Sequence, residues 1–155
     1  RPASTRPLSP SAPAPSLPDD AVIRDAARII RRARRPVIIT GNGVLRAGAS
    51  AELRALCEHA GIPACPTFMG KGALDDRSLL SLPAVGLQAR DSVTAGLDEA
   101  DVVICVGHDR VEFGPANWNP SSLTRILHLA APPARGDPGS RPAGPTLARA
   151  RRTLP

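Results

Sequence analysis

Apolar residues along this chain change their period from one segment to the next. Val22, Ile23, Ala26, Ile29, Ile30 and Ala33 recur at the spacing of one helix face within residues 21–35. Asp19 and Asp20 stand where an N-cap belongs, and Arg31, Arg32, Arg34 and Arg35 crowd the negative end of the helix dipole before Pro36 stops the helix. PVIIT (36–40) is a continuous, largely β-branched run ending at Gly41, as expected of a buried strand. A second helix starts at about Ser50 as its cap. Leu53, Leu56, Cys57 and Ala60 keep the i, i+3, i+4, i+7 spacing, and Gly61 ends the helix. IPACPTF (62–68) reads as a strand whose Pro63 and Pro66 confine it to an edge. A weaker helical pattern over 88–100 leads into DVVICVG (101–107), the strongest strand, and RILHL (125–129) is a fourth.

The order α-β-α-β-α-β-β, with strands apolar throughout rather than alternating, predicts an α/β domain: a Rossmann-like parallel sheet with helices on both faces. Composition sets its limits. Residues 1–17 form a Pro/Ser/Ala-rich linker, residues 18–130 the domain, and residues 131–155 a Pro/Arg/Gly-rich tail expected to stay unpacked.

The formal net charge of +6 changes this picture little once it is located. Residues 18–130 carry 13 basic and 13 acidic side chains, so the excess lies entirely in the two flanks. Basic flanks of this composition read as solvated chain before they read as a nucleic-acid surface, and 2% aromatic residues leave little for base stacking. No apolar run approaches the roughly 20 residues of a membrane span, and the N-terminal stretch lacks the apolar centre of a secretory signal. Cys57, Cys65 and Cys105 are odd in number and have no CxxC spacing. A disulfide scaffold and a zinc site are therefore not expected, and a reducing, cytoplasmic setting is.

Candidate chemistry belongs at the C-terminal strand ends, where open parallel sheets bind ligands. Gly41, Gly43, Gly70, Gly72 and Gly107 lie in the loops leaving those ends and would let backbone N–H groups approach a ligand. Gly41-Asn42-Gly43 does not complete GxGxxG, because Arg46 stands at the third glycine position, and a tight turn explains it equally well. His108 and Asp109 could hydrogen-bond a ribose or merely cap a strand. Lys71 could meet a phosphate or solvent, and Trp118 could stack on a flat ligand or close the sheet edge. The cysteines lack the electropositive surroundings of a reactive thiolate. No Ser/His/Asp order, carboxylate pair or metal-ligand cluster stands out, so no catalytic residue and no metal ligand is assigned.

RRPVIITGNGVLRAGASAELRALCEHAGIPACPTFMGKGALDDRSLLSLPAVGLQ, followed by ADVVICVGHDRVEFGPANWNP and RILHL, resembles the central domain of thiamine-diphosphate-dependent enzymes. The likeness is to the acetolactate synthase group, its catabolic branch most of all. The resemblance implies thiamine diphosphate and Mg²⁺ in the parent enzyme, held by two further domains. One is a pyrimidine-binding domain with an activating glutamate, the other a diphosphate-binding domain with a GDG…N motif. No GDG occurs in this sequence. The resemblance also implies a further strand and a closing helix after RILHL (125–129), and on that ground the sheet is expected to be truncated at its C-terminal edge. Ile126 and Leu127 would then border an open edge that favours self-association. In flavin-containing members the central domain holds FAD, which by motif maps to Gly41, Asn42 and Gly43, to Thr67, Met69 and Gly70, and to Gly107, His108 and Asp109. Catabolic members with similar GHD-type loops manage without FAD, so the resemblance leaves flavin open.

The expectation is therefore a fragment, inactive alone, of an acetolactate synthase-like enzyme, with the parent's other domains as partners. Two alternatives remain at this point: a stand-alone dinucleotide-binding module, and a nucleic-acid-associated protein acting through its basic tails.

Overall fold

Helix α1 (Asp20–Arg32) begins where the carboxylate of Asp19 accepts the Ala21 N–H at 3.2 Å, a side-chain N-cap. The computed structural model describes residues 18–86, 96–109, 111–120 and 123–129. The expected linker over 1–17, the tail over 131–155 and most of the expected helix over 88–100 lie outside these residues, and so does the expected truncation beyond RILHL. Residues 96–98 are helical.

Helix α1 ends three residues earlier than its periodicity predicts, and Asp101 supplies the reason. Its carboxylate accepts the N–H groups of Arg34 at 2.7 Å and Arg35 at 3.0 Å, while its own N–H donates to the Arg35 carbonyl at 3.3 Å. The chain turns extended at Ala33 and enters β1 (Pro36–Thr40). Helix α2 (Asn42–Ala47) and helix α3 (Ser50–Ala60) follow, each closed by a left-handed glycine, Gly48 at φ +62° and Gly61 at φ +64°. Ser50 is the first residue of α3 rather than its cap; Ala49 holds the cap position without a side-chain bond.

Strand β2 (Ala64–Pro66) is shorter than the seven apolar residues suggest. Beyond it come a 3₁₀ turn (Phe68–Gly70), β3 (Val102–Val106), the one-turn helix α4 (Pro115–Trp118) and β4 (Arg125–Leu129). The strands run in the order β2-β1-β3-β4, every pair parallel, with Ile38 opposite Ile104 and Ile104 opposite Leu127. This is the predicted Rossmann-like parallel sheet. Pro66 is tolerated because its nitrogen faces outward. Ala64 N–H donates outward to Leu80, and Thr67 N–H donates inward to Thr40. Only the Pro66 carbonyl is needed on the outer side, where it accepts the Val85 N–H at 2.8 Å.

Side chains alternate between two cores. Ile38, Ala64, Val102, Ile104 and Leu127 pack with Ala26, Val44, Leu53 and Cys57 from helices α1 to α3. Val37, Ile39, Cys65, Val103, Cys105 and Ile126 face Leu97, Ala100, Phe113 and Trp118. Both faces are thus covered. Each fully buried aliphatic side chain here contributes about 1.5–3 kcal/mol relative to exposure. Ile126 and Leu127, expected at an open edge, are 1% and 2% exposed. Strand side chains project above and below the sheet, so their burial is set by the covering layers, while an edge exposes backbone.

Two predictions follow from this packing. Asp101→Ala should lower stability by about 1 kcal/mol, since two backbone donors lose a carboxylate acceptor. The two N–H bonds hold the Asp101 carboxyl below the ordinary carboxylate range, that of Arg34 most. Its contribution is therefore complete above the unfolded value near ~4 and is lost as pH falls through the lowered folded value. Acid unfolding of wild type and variant, followed by circular dichroism, should converge at low pH. Thr40→Val should raise the unfolding free energy by about 1 kcal/mol, because the buried Thr40 hydroxyl has no hydrogen-bond partner among the described residues. Urea titration reads the difference.

Candidate functional site

Chain order reverses at β1: the path runs from β1 to β2 on one side, then returns to β3 on the other. Ligands of open parallel sheets sit at this kind of switch point, between loops that part there. In this domain the two loops meet. Gly43 N–H donates to the Gly107 carbonyl at 2.8 Å, Gly41 N–H to Val106 at 3.0 Å, and Gly107 N–H to Leu129 at 2.8 Å. A Cβ on Gly41 would lie 2.6 Å from both the Gly107 oxygen and the His108 Cα, and one on Gly43 would lie 2.6 Å from the same oxygen. Gly107 itself adopts φ +57°, a left-handed conformation that favours glycine. What fills the space above these glycines is neighbouring backbone.

The loop after β2 closes on the same spot from the other side. Thr67 N–H donates to the Thr40 carbonyl at 2.8 Å, and the Thr67 hydroxyl accepts the Gly70 N–H at 3.1 Å. A Cβ on Gly70 would collide with the Thr40 carbonyl and lie 2.9 Å from the Gly41 Cα. The Thr67 hydroxyl donates in turn to the Glu112 carboxylate. Strands β2 and β3 flank β1, so this side-chain bridge passes over the end of β1.

The structure brings Gly41, Gly43, Thr67, Gly70, Gly107 and the buried His108 into one interlocked group. Asn42 is the half-buried first residue of α2. Met69 stays outside the group at 52% exposure, next to Phe68 at 65%. Asp109 is exposed and holds its own turn, its carboxylate accepting the Val111 N–H and its carbonyl the Glu112 N–H, both at 3.1 Å. Glu112 was not singled out by sequence, since no local pattern marks a partner 45 residues away.

Other candidates fall elsewhere. Lys71 is exposed and paired with Asp76 at 2.8 Å. Trp118 is buried in the second core, its indole N–H donating to the Phe113 carbonyl at 3.3 Å, so it closes the sheet face. All three cysteines are buried thiols. Burial pushes Cys57 up to about 11, with a smaller contribution from the Glu58 charge, and pushes Cys105 higher still. Neither forms a thiolate at neutral pH. Among the described residues no group of three or more His, Cys, Asp or Glu side chains could hold a metal ion. No helix there is long and apolar enough to cross a membrane.

A parallel sheet whose glycine loops lock together over the first strand defines a Rossmann-like domain of the α/β class. The family is settled by comparison with known proteins. The description "thiamine pyrophosphate enzyme, central domain" matches residues 23–155, and the chain belongs to that family. The match runs through residues 131–155, whose composition reads as tail. The chain is 37% identical over 115 residues to a probable acetolactate synthase large subunit of Methanocaldococcus jannaschii, covering 72% of this chain and 19% of that protein. It is 33% identical over 120 residues to an acetolactate synthase of Mycobacterium bovis, covering 76% and 19%. With an acetolactate synthase large subunit of Corynebacterium glutamicum it shares 32% over 122 residues, covering 77% and 19%. The chain thus spans about a fifth of the length of the curated relatives it matches.

The interlock has a direct mutational signature. Gly43→Ala should cost at least about 3 kcal/mol or abolish folding, because the added methyl meets backbone that cannot step aside. Gly96→Ala, where a Cβ meets nothing within 4 Å, should change stability by less than about 1 kcal/mol. Equal losses in the two variants, measured by thermal unfolding, would contradict the interlock.

Proposed function

We propose that this chain serves as the non-catalytic central domain of an acetolactate synthase-like, thiamine-diphosphate-dependent enzyme and is inactive alone. One observation carries the reading. The chain matches the central-domain family over residues 23–155, and the glycine loops at its strand ends are packed against neighbouring backbone. Its candidate residues, Gly41, Asn42, Gly43, Thr67, Met69, Gly70, Gly107, His108 and Asp109, then shape the rim that this domain presents to the rest of the enzyme.

In this reading the activating glutamate and the groups that hold Mg²⁺ and diphosphate come from the pyrimidine- and diphosphate-binding domains. Thiamine diphosphate supplies the carbanion chemistry there when bound. The central domain contributes a rigid spacer whose covered sheet resists distortion. Cytoplasmic residence fits three cysteines that form no disulfide, and self-association is part of the proposal.

The expected result is no acetolactate from pyruvate when the purified chain is supplied with thiamine diphosphate and Mg²⁺. Melting temperature should likewise not respond to thiamine diphosphate plus Mg²⁺, because a ligand that binds the native state would raise it. Turnover above a blank of cofactor and metal alone would overturn the proposal.

A further inference from the structure

The family resemblance admits FAD at these loops, and the residues present do not fit its diphosphate. Phosphate oxygens are held in such folds by free backbone N–H groups or by fixed positive charge. Here the N–H groups of Gly41, Gly43, Gly70 and Gly107 already donate to protein oxygens. The nearby cation considered for such a role, Lys71, is exposed and pairs with Asp76. Among the described residues, the side chain bonded to Thr67 at this end of the sheet is a carboxylate, that of Glu112.

We infer that Glu112 and Thr67 form a strap across the end of β1 that excludes a dinucleotide from the switch point, making Glu112 a specificity-determining residue. The strap joins loops from two strands that do not neighbour each other. Its polarity is set, because the Thr67 hydroxyl accepts from Gly70 and so donates its one proton to Glu112. The Asp109 turn presents Glu112 by accepting the Val111 and Glu112 N–H groups. A diphosphate brought to this spot would meet an anion and would find these four glycine N–H groups taken. The inference rests on the proposed central-domain reading but is separable from it: an inactive chain could still bind FAD.

ADP and FAD titrations of the 155-residue chain, followed by NMR chemical shifts, test the exclusion. Wild type should bind each with Kd weaker than about 1 mM. Glu112→Gln keeps an acceptor for Thr67 and removes the charge, and should tighten ADP about fivefold, the effect of one partly screened repulsion. Saturable wild-type binding below about 0.1 mM, or an ADP affinity unchanged in Glu112→Gln, would overturn the inference. A double-mutant cycle of Thr67→Val and Glu112→Ala in urea unfolding tests the strap itself. The double variant should lose little more than the costlier single variant, and strictly additive losses would show that the two side chains do not couple.

Discussion

Backbone packed on backbone at the end of β1 is the constraint on which the rest of this domain depends. Gly41 and Gly43 lie against Gly107 from one side and Gly70 lies against Thr40 and Gly41 from the other, at separations that leave no room for a single Cβ. Three loops from three strands are thereby fixed relative to one another at the place where the sheet order reverses. The parallel ladder supplies the platform, and two layers of apolar side chains hold it. The glycines convert that platform into a closed end.

Much of the architecture was legible from periodicity, because buried parallel strands and amphipathic helices leave strong patterns. Strands β1 and β4 match their apolar runs, β3 lies within its own, and the Asp19 cap and Gly61 stop fall where local chemistry placed them. Failures came where distant contacts decide local conformation. Helix α1 stops early because Asp101, remote in sequence, captures the N–H groups of Arg34 and Arg35. Helices α2 and α4, read as loop, are too short to show a period; α2 is anchored by buried Val44 and α4 by Pro115 and Trp118.

The site was legible in a narrower sense. Of the five loop glycines that sequence singles out, Gly41, Gly43, Gly70 and Gly107 are pressed against backbone, while Gly72, at φ +88°, has open space where a Cβ would sit. Sequence could not say whether a ligand or the chain itself presses close, because glycine answers both demands alike. Glu112 was invisible for the same reason that Asp101 was: its role exists only through a partner on another strand's loop. Membership in the thiamine pyrophosphate enzyme central-domain family agrees with the Rossmann-like parallel sheet seen here.

The most direct test of the closed switch point is native-state hydrogen exchange of the Gly43 and Gly107 amides in the unliganded chain. An interlocked end predicts that both exchange about as slowly as the Ile38 amide in the centre of the sheet, requiring near-global unfolding. Exchange of these two amides on the timescale of exposed loops, while Ile38 stays protected, would contradict the account.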